Sequence, residues 1–482
     1  MKRHYIISII IMFVSVVALN AQQNLRTAYF LDGYTYVYKM NPALQGERGF
    51  VSIPALGKLS LGAESNLGRS TFVKPSDGKL ITFLHPEFSE NELLKGMKHG
   101  NAMFANIDMP VLAFGFRTGK AYHTVDLSVR ADADANLTKD LFHFMKVGSA
   151  DGADSWDISD LGARVEARME LAYGYSRKFG EKVSVGARVK ALMGVARADI
   201  AMDKMNLKLN GEEWAVTASG TADFAGVLDV RTKGQTGSAA DPAQTGMIDW
   251  NALSVKSMDD IKKYMSSPSI GLALDLGVSV DLLDYLTVSA SVLDLGFIGW
   301  KDAVRAATPE TAWSFTGFEN LSLDGGADIS GQFESLADDL MGAMNFIKDG
   351  NASGKASSSL SATAHLGVEA RMPFYDRLSV GLLGTHRFAG AYSWTEGRFS
   401  LNWALLRVFS LSGSYAISNM GNSLGAVANL HLPGFTLFAG VDSFLPLMNV
   451  TPNMIPIDSC NTNVALGLNI AFGKYNGRFP KN

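Results

Sequence analysis

The stretch Val464-Ala465-Leu466-Gly467-Leu468-Asn469-Ile470-Ala471-Phe472 decides the fold. Val464, Leu466, Leu468, Ile470 and Phe472 fall on one face of a strand. Ala465, Gly467, Asn469 and Ala471 fall on the other, because successive strand side chains alternate sides. One face is apolar and the other is small or polar. In a soluble sandwich the apolar face would be the core. In an outer-membrane barrel it meets lipid, and the small polar face lines the interior. The stretch alone fits both, so the choice rests on what repeats upstream.

The same alternation returns in longer runs. Val125, Leu127, Val129, Ala131, Ala133 and Ala135 alternate with Thr124, Asp126, Ser128, Arg130, Asp132 and Asp134. Val165, Ala167, Met169, Leu171, Tyr173 and Tyr175 alternate with Arg164, Glu166, Arg168, Glu170, Ala172 and Gly174. Val183, Val185, Ala187, Val189 and Ala191 alternate with Ser184, Gly186, Arg188 and Lys190. Globular strands average about 5–6 residues, whereas a tilted membrane strand needs about 9–11. Runs this long favour the barrel. The tight turn at Phe179-Gly180-Glu181 predicts that Glu170 lies opposite Arg188 or Lys190, and that Arg164, Glu166, Arg168, Glu170, Arg188 and Lys190 form a charged interior wall.

Fourteen strands are predicted: 49–66, 108–118, 122–135, 164–178, 182–203, 269–281, 285–296, 358–372, 376–389, 393–404, 407–418, 423–432, 434–444 and 462–472. Their connections alternate between short ones and long ones, the latter at 67–107, 136–163, 204–268, 297–357 and 445–461. Short periplasmic turns, long outer loops and an even strand number are the barrel arrangement. The two-residue turn in Leu432-Pro433-Gly434-Phe435 sets Leu430 opposite Leu437, Ala428 opposite Ala439 and Ala426 opposite Val441. Helices are expected in two of the long loops. One follows Ser257-Met258-Asp259-Asp260, which resembles a capping box. The other spans 331–349, where Phe333, Leu336, Leu340, Met344 and Ile347 share a stripe.

Composition agrees. A mean hydropathy of +0.08 excludes a multi-helix membrane protein but not a barrel, whose strands are half polar. Met1–Ala21 reads as a secretory signal, with Lys2, Arg3 and His4 ahead of the apolar run Ile6–Leu19. Cys460 is the single cysteine, so no intramolecular disulfide closes the fold. A net charge of −4 gives no reason to expect a nucleic-acid partner.

Catalytic signals are weak. Gly421-Asn422-Ser423-Leu424-Gly425 matches a nucleophile-elbow string but sits between two strands rather than between a strand and a helix. Gly350–Lys355 lacks the glycine spacing and hydroxyl of a phosphate loop. The eight histidines are scattered. The expectation is therefore no enzyme, no cofactor and no metal. Asp151, Asp154, Asp157 and Asp160 leave calcium open.

Two stretches carry a family resemblance. Met40-Asn41-Pro42-Ala43-Leu44 resembles the Asn-Pro-Ala segment near the mature N-terminus of long-chain fatty-acid transporter (FadL-like) barrels and their Bacteroidetes relatives. Ser291-Val292-Leu293-Asp294-Leu295-Gly296-Phe297-Ile298-Gly299-Trp300 resembles a strand-and-loop signature of Bacteroidetes outer-membrane proteins, including PorV-type barrels of the type IX secretion system. With Thr35–Phe50 it is similar to a Bacteroidetes family of unknown function. The resemblance implies an all-β transmembrane antiparallel barrel of about fourteen strands (residues 49–472) in the outer membrane of a Gram-negative cell. It also implies an N-terminal hatch at 22–48 that contains Asn41, Pro42 and Ala43; a C-terminal tail at 473–482 would hang free in the periplasm. The expected function is a channel or transporter for a small, in one reading hydrophobic, molecule. The alternative is an adaptor or assembly barrel that binds a protein through its outer loops. Outer-membrane lipid and the barrel-assembly machinery are the remaining expected partners.

Overall fold

The structure is a computed structural model that describes residues 24–477 apart from 55, 77–78, 148–154, 211–212, 241, 316–345, 352–353 and 444–461. The signal segment, Cys460, Asp151 and Asp154 lie outside the described residues.

Fourteen antiparallel strands close into a barrel. They are β1 (Gly49–Ser52 and Leu59–Ser65), β2 (Gly100–Thr118), β3 (Ala121–Thr138), β4 (Gly162–Phe179), β5 (Val183–Asn210), β6 (Ser269–Leu283) and β7 (Leu286–Phe315). Then follow β8 (Ala362–Met372), β9 (Tyr375–Phe388), β10 (Trp394–Leu406), β11 (Phe409–Ser418), β12 (Gly421–Leu432), β13 (Phe435–Ser443) and β14 (Thr462–Phe472). Each pairs with its chain neighbour. The seam joins β14 to both halves of β1, with Gly49 opposite Phe472 and Leu59 opposite Leu466. Closure leaves no free sheet edge, so every strand finds a ladder partner on both sides. The predicted Leu430–Leu437, Ala428–Ala439 and Ala426–Val441 register is the one present.

Apolar side chains point outward along these strands. Leu171, Val189, Ile270, Leu366, Phe399, Leu466 and Ile470 are all exposed, while their polar neighbours Glu170, Arg188, Asp275, His365, Arg398 and Asn469 are buried. This inverts the pattern of a water-soluble sheet and follows from the strand period of two.

Several expectations change. β1 is broken at 53–58, where Pro54 has no N–H for a ladder and Leu56 and Gly57 both donate to the Ile53 carbonyl. The Leu56 carbonyl still accepts from Leu468, which holds the seam across the break. Glu170 lies opposite Leu192, with Lys190 opposite Ala172 and Arg188 opposite Gly174. The turn sets Phe179 against Val183, so register carries Glu170 past both cations. The stretch expected as a loop at 204–268 begins as strand: β5 continues to Asn210 and pairs with Glu213–Gly226, which in turn pairs with the far end of β7. This extension, built on three long strands, rises beyond the start of β6. It packs Phe144, Trp156, Met205, Leu207, Phe224 and Phe346 into a cluster of its own. The helix after Ser257 is present as Met258–Ser266, with the Ser257 hydroxyl accepting from the Asp260 N–H. Most of the other expected helix lies outside the described residues, and its end, Ile347–Lys348, is a short strand against Ala306–Ala307. The tail does not hang free over its described part. Asn476 donates to the Glu47 carbonyl, and Arg48 donates to the Gly473 carbonyl while lying 5.4 Å from the Tyr475 ring. The guanidinium over the aromatic face adds about 0.5–1 kcal/mol to these hydrogen bonds.

Candidate functional site

Residues 24–48 sit inside the barrel. Leu25, Ala28, Tyr29, Leu31, Tyr34, Tyr36, Tyr38 and Met40 form one cluster with Phe50, Leu383, Val427 and Phe438 of the wall. The segment contributes no strand to the sheet. It makes only two short 3₁₀ turns, Arg26–Ala28 and Val37–Lys39. Its aromatic rings meet edge to face, as Tyr34 does with Phe438 at 5.1 Å.

Polar anchors fix its position. The Arg26 and Thr27 N–H groups donate to the two oxygens of Asp442, each at 2.8 Å. The Arg26 guanidinium lies 2.5 Å from Glu64 and 2.9 Å from Glu396. Burial by itself would lower its pKa, but Glu396, Glu64 and Asp442 outweigh that and hold it above the ordinary value. Asn41 is fully buried. Its amide donates to the Tyr29 hydroxyl and to the Val278 and Ala290 carbonyls, while its Oδ1 accepts from the Ala43 N–H. Asn41, Pro42 and Ala43 rest on two glycines paired across β5 and β6, Gly186 and Gly277. A Cβ on Gly186 would stand 2.1 Å from the Pro42 carbonyl oxygen, and one on Gly277 2.1 Å from Asn41 Oδ1. The Asn-Pro-Ala segment therefore needs this flat patch of wall.

On the long-loop side of that segment the lumen is crossed by a ribbon of alternating charges. Arg197 donates to Glu166, and Glu166 lies 3.5 Å from Arg168. Arg168 donates to Glu170 at 2.9 Å and to Asp132 at 2.7 Å. Arg130 reaches Glu170 at 3.5 Å and Asp294 at 3.1 Å. Lys190 bridges Asp294 and Asp275, and Arg188 bridges Asp275 and Asp126. Lys39 and Lys58 close the ribbon on Asp108. Arg164 stands to one side, bonded to Asp134 and stacked on Tyr392. All six charges singled out in the sequence belong to this wall or its flank. Arg130, Asp132, Asp108, Asp126, Asp275, Asp294, Lys39, Lys58 and Arg387 belong there too and were not singled out. Asp275 and Asp294 each interrupt a leucine-rich strand, which was the available signal.

Asp294 shows how the sequence arranges this. It has a φ of +61°, unusual for a residue with a Cβ, although aspartate tolerates it better than most. A bulge sets Leu293 and Asp294 against Asp275 alone, because Leu295 pairs with Leu274 and Val292 with Leu276. Both residues of the bulge turn inward, and the Asp294 N–H donates to Asp275 Oδ1 at 2.8 Å. The Ser291–Trp300 signature thus encodes a bulge that aims a carboxylate at Arg130 and Lys190. Trp300 seals the far end, donating to Ser358, which in turn donates to Glu166.

Two cavities lie along the ribbon. The inner one, about 70 Å³, is bounded by Arg26, Lys39 and Met40 of the N-terminal segment and by wall residues that include Arg168, Asp294 and Arg387. The outer one, about 180 Å³, lies in the extension between Arg197, Asp223, Arg305, Lys355 and Ser357. Gly421–Gly425 lies in the β11–β12 hairpin, with Ser423 opposite Ala416, so it forms no elbow. Among the described residues no three histidine, cysteine or carboxylate side chains are grouped to hold a metal.

A protein-family model described as "Family of unknown function (DUF5723)" matches residues 42–442. No curated protein matches the sequence. Among solved structures, the toluene transporter TbuX of Ralstonia pickettii is similar at 10% identity, covering 95% of this chain and 98% of that one with a TM-score of 0.42. The toluene transporter TodX of Pseudomonas putida gives 10%, 95%, 98% and 0.40, and a Pseudomonas aeruginosa FadL homologue gives 11%, 94%, 99% and 0.38. Identities of this size say nothing about what the chain carries.

Proposed function

The chain belongs to this family of unknown function, and from its own geometry we propose that it is an outer-membrane barrel that passes a small solute through a lumen gated by residues 24–48. The observation that carries this reading is that the gating segment fills the lumen without joining the sheet. It can shift without breaking a single ladder hydrogen bond, so the barrel stays closed while the path opens. The cluster of buried tyrosines makes a complete exit of the segment costly, which favours a partial displacement. The charged ribbon favours a polar solute over the hydrophobic one of the first reading, since an apolar solute would desolvate paired charges and return nothing to them. Residues 1–21 act as the export signal in this reading.

The membrane placement rests on the exposed apolar belt, which is far larger than soluble proteins leave uncovered. Leu466→Arg puts a charge on that belt and is expected to cost about 2–4 kcal/mol near the bilayer midplane. Unfolding from lipid vesicles measures this, and an unchanged stability would count against lipid contact at β14.

The gate is tested by a tether. Thr27 Oγ1 and Ser414 Oγ lie 2.7 Å apart, so cysteines at these two positions, with Cys460→Ser, place two thiols within bridging reach. Solute uptake into liposomes should stop in the oxidised protein and return on reduction. Equal uptake in both states would show that the segment is no gate, and no uptake in either would sink the transport reading. The adaptor alternative draws on the lumen being filled and on the protein surface offered by the extension. Recovery of the barrel alone from native membranes would count against it.

A further inference from the structure

The charges around the inner cavity are not evenly distributed. Seven arginine and lysine side chains border it, among them Lys39, Arg130, Arg168, Arg188, Lys190 and Arg387, against the four carboxylates of Asp108, Asp132, Glu170 and Asp294. Further carboxylates stand behind the cations. Asp126 and Asp275 hold Arg188 from the wall side, Asp134 holds Arg387, and Glu396 holds Arg26. None of these four borders the cavity. Arg26, Arg188 and Arg387 are thus held by partners behind them and present their remaining N–H groups and positive potential to the space, while Lys39, Arg130, Arg168 and Lys190 share the cavity border with their carboxylate partners. In a recess of low dielectric such an arrangement concentrates the field and attracts an anion. The outer cavity repeats the bias, with Arg197, Arg305 and Lys355 against Asp223.

One carboxylate links the linings of the two cavities. Arg197 borders the outer one and Arg168 the inner one, and both bind Glu166. An anion leaving Arg197 meets Arg168 next, and beyond it Arg130, Arg387 and Lys190. Arginine suits this work because its planar fork binds an oxyanion with two parallel hydrogen bonds and stays charged at any relevant pH. Because Arg197, Arg168, Arg130, Arg387 and Lys190 already have carboxylate partners, an arriving anion competes with those partners, so binding is weak enough to be released to the next site.

We infer that the outer cavity, the Arg197–Glu166–Arg168 link and the inner cavity form a path for a small oxyanion, either an inorganic one such as phosphate or a short carboxylate. The inner cavity has the scale of one such ion with little water beside it. This inference rests on the transport reading but predicts binding as well as flux, so the two can fail separately.

The experiment uses the full chain. Calorimetric titration of the detergent-solubilised protein with phosphate, with succinate and with the cation tetramethylammonium reads binding directly. Uptake of phosphate, succinate and an uncharged sugar of similar size into liposomes reads passage. Saturable binding of one anion and none of the cation is expected, with the anion entering at least about tenfold faster than the sugar. Which anion binds distinguishes the inorganic source from the organic one. Lys355→Gln alters only an exposed side chain at the outer cavity and should slow anion entry severalfold while leaving sugar entry unchanged. Equal entry of anion and sugar, or binding of the cation in place of the anions, would overturn the anion path and leave transport standing. Anion binding without any uptake would keep the site and remove the transport reading. Neither binding nor uptake would remove both.

Discussion

Replacing Arg188 with methionine is expected to destabilise the barrel by about 3–5 kcal/mol, because it strips one partner from two buried carboxylates at once. Arg188 donates to Asp275 at 2.9 Å and to Asp126 at 2.8 Å, and both carboxylates are almost wholly buried. Neither is left fully stranded. Asp275 keeps Lys190 and the Asp294 N–H, and Asp126 keeps Lys39 at 3.6 Å. What is lost is the cation that bridges them, together with its packing against the Tyr38 ring at 5.3 Å. Methionine restores volume but no charge. The midpoint of urea unfolding, followed by the gel mobility of the folded barrel, measures the loss. Adding Asp126→Asn should recover part of it, because an amide is cheaper to bury unpaired than a carboxylate. A single variant within about 0.5 kcal/mol of the parent would mean that the lumen is hydrated enough to screen these charges.

Gly277→Val is expected to free residues 24–48 while leaving the barrel closed. A Cβ at 277 stands 2.1 Å from Asn41 Oδ1, 2.9 Å from Pro42 Cδ and 3.0 Å from the Ala43 N–H nitrogen. Three contacts on one short segment cannot all yield, so Asn41–Ala43 must lift. Overpacking of this kind costs about 1–3 kcal/mol, and Asn41 loses its bonds to Val278 and Ala290 as well. The strand itself accepts valine readily, since β-branched residues suit a pleated ladder. Protease cleavage within 24–48 should quicken at least about tenfold, and solute uptake should rise with it. Gly413→Val is the control, because nothing lies within 4 Å of a Cβ there. If both variants behave alike, Asn41–Ala43 is not held by the glycine patch.

The reading of the wall and the reading of its interior succeeded to different degrees, for a physical reason. A strand of period two in a closed barrel with its apolar face outward leaves a simple trace. Val464–Phe472, Leu171–Tyr175 and Ile270–Leu276 all alternate because the outer face takes apolar side chains and the lumen takes the rest. Hairpin register is local too, since a two-residue turn at Pro433-Gly434 leaves one way to pair Leu430. Strand ends were less legible where β5 and β7 climb beyond the start of β6. Bulges at Val195 and Asp203 swap the faces of β5 there, and the cluster around Trp156 and Phe346 supplies the apolar partner.

The sequence alone determined that this chain closes as a fourteen-stranded barrel with apolar residues outward. That follows from neighbours a few residues apart, as does the expectation of inward-facing charges, whereas the place of Asn41-Pro42-Ala43 in an N-terminal segment was implied only by a family resemblance. Only the tertiary structure decided which charges meet. Lys39 lies 69 residues from Asp108, Arg130 lies 164 from Asp294, and Arg387 lies 253 from Asp134. Such pairs are set by the curvature of the closed wall and the lean of long side chains across it. Only the tertiary structure showed that Gly186 and Gly277 stand side by side to seat the segment, and that the Asp294 bulge supplies its carboxylate to Arg130 and Lys190. Side-chain alternation is written in the chain one residue at a time, whereas contacts across a lumen exist only once the barrel has closed.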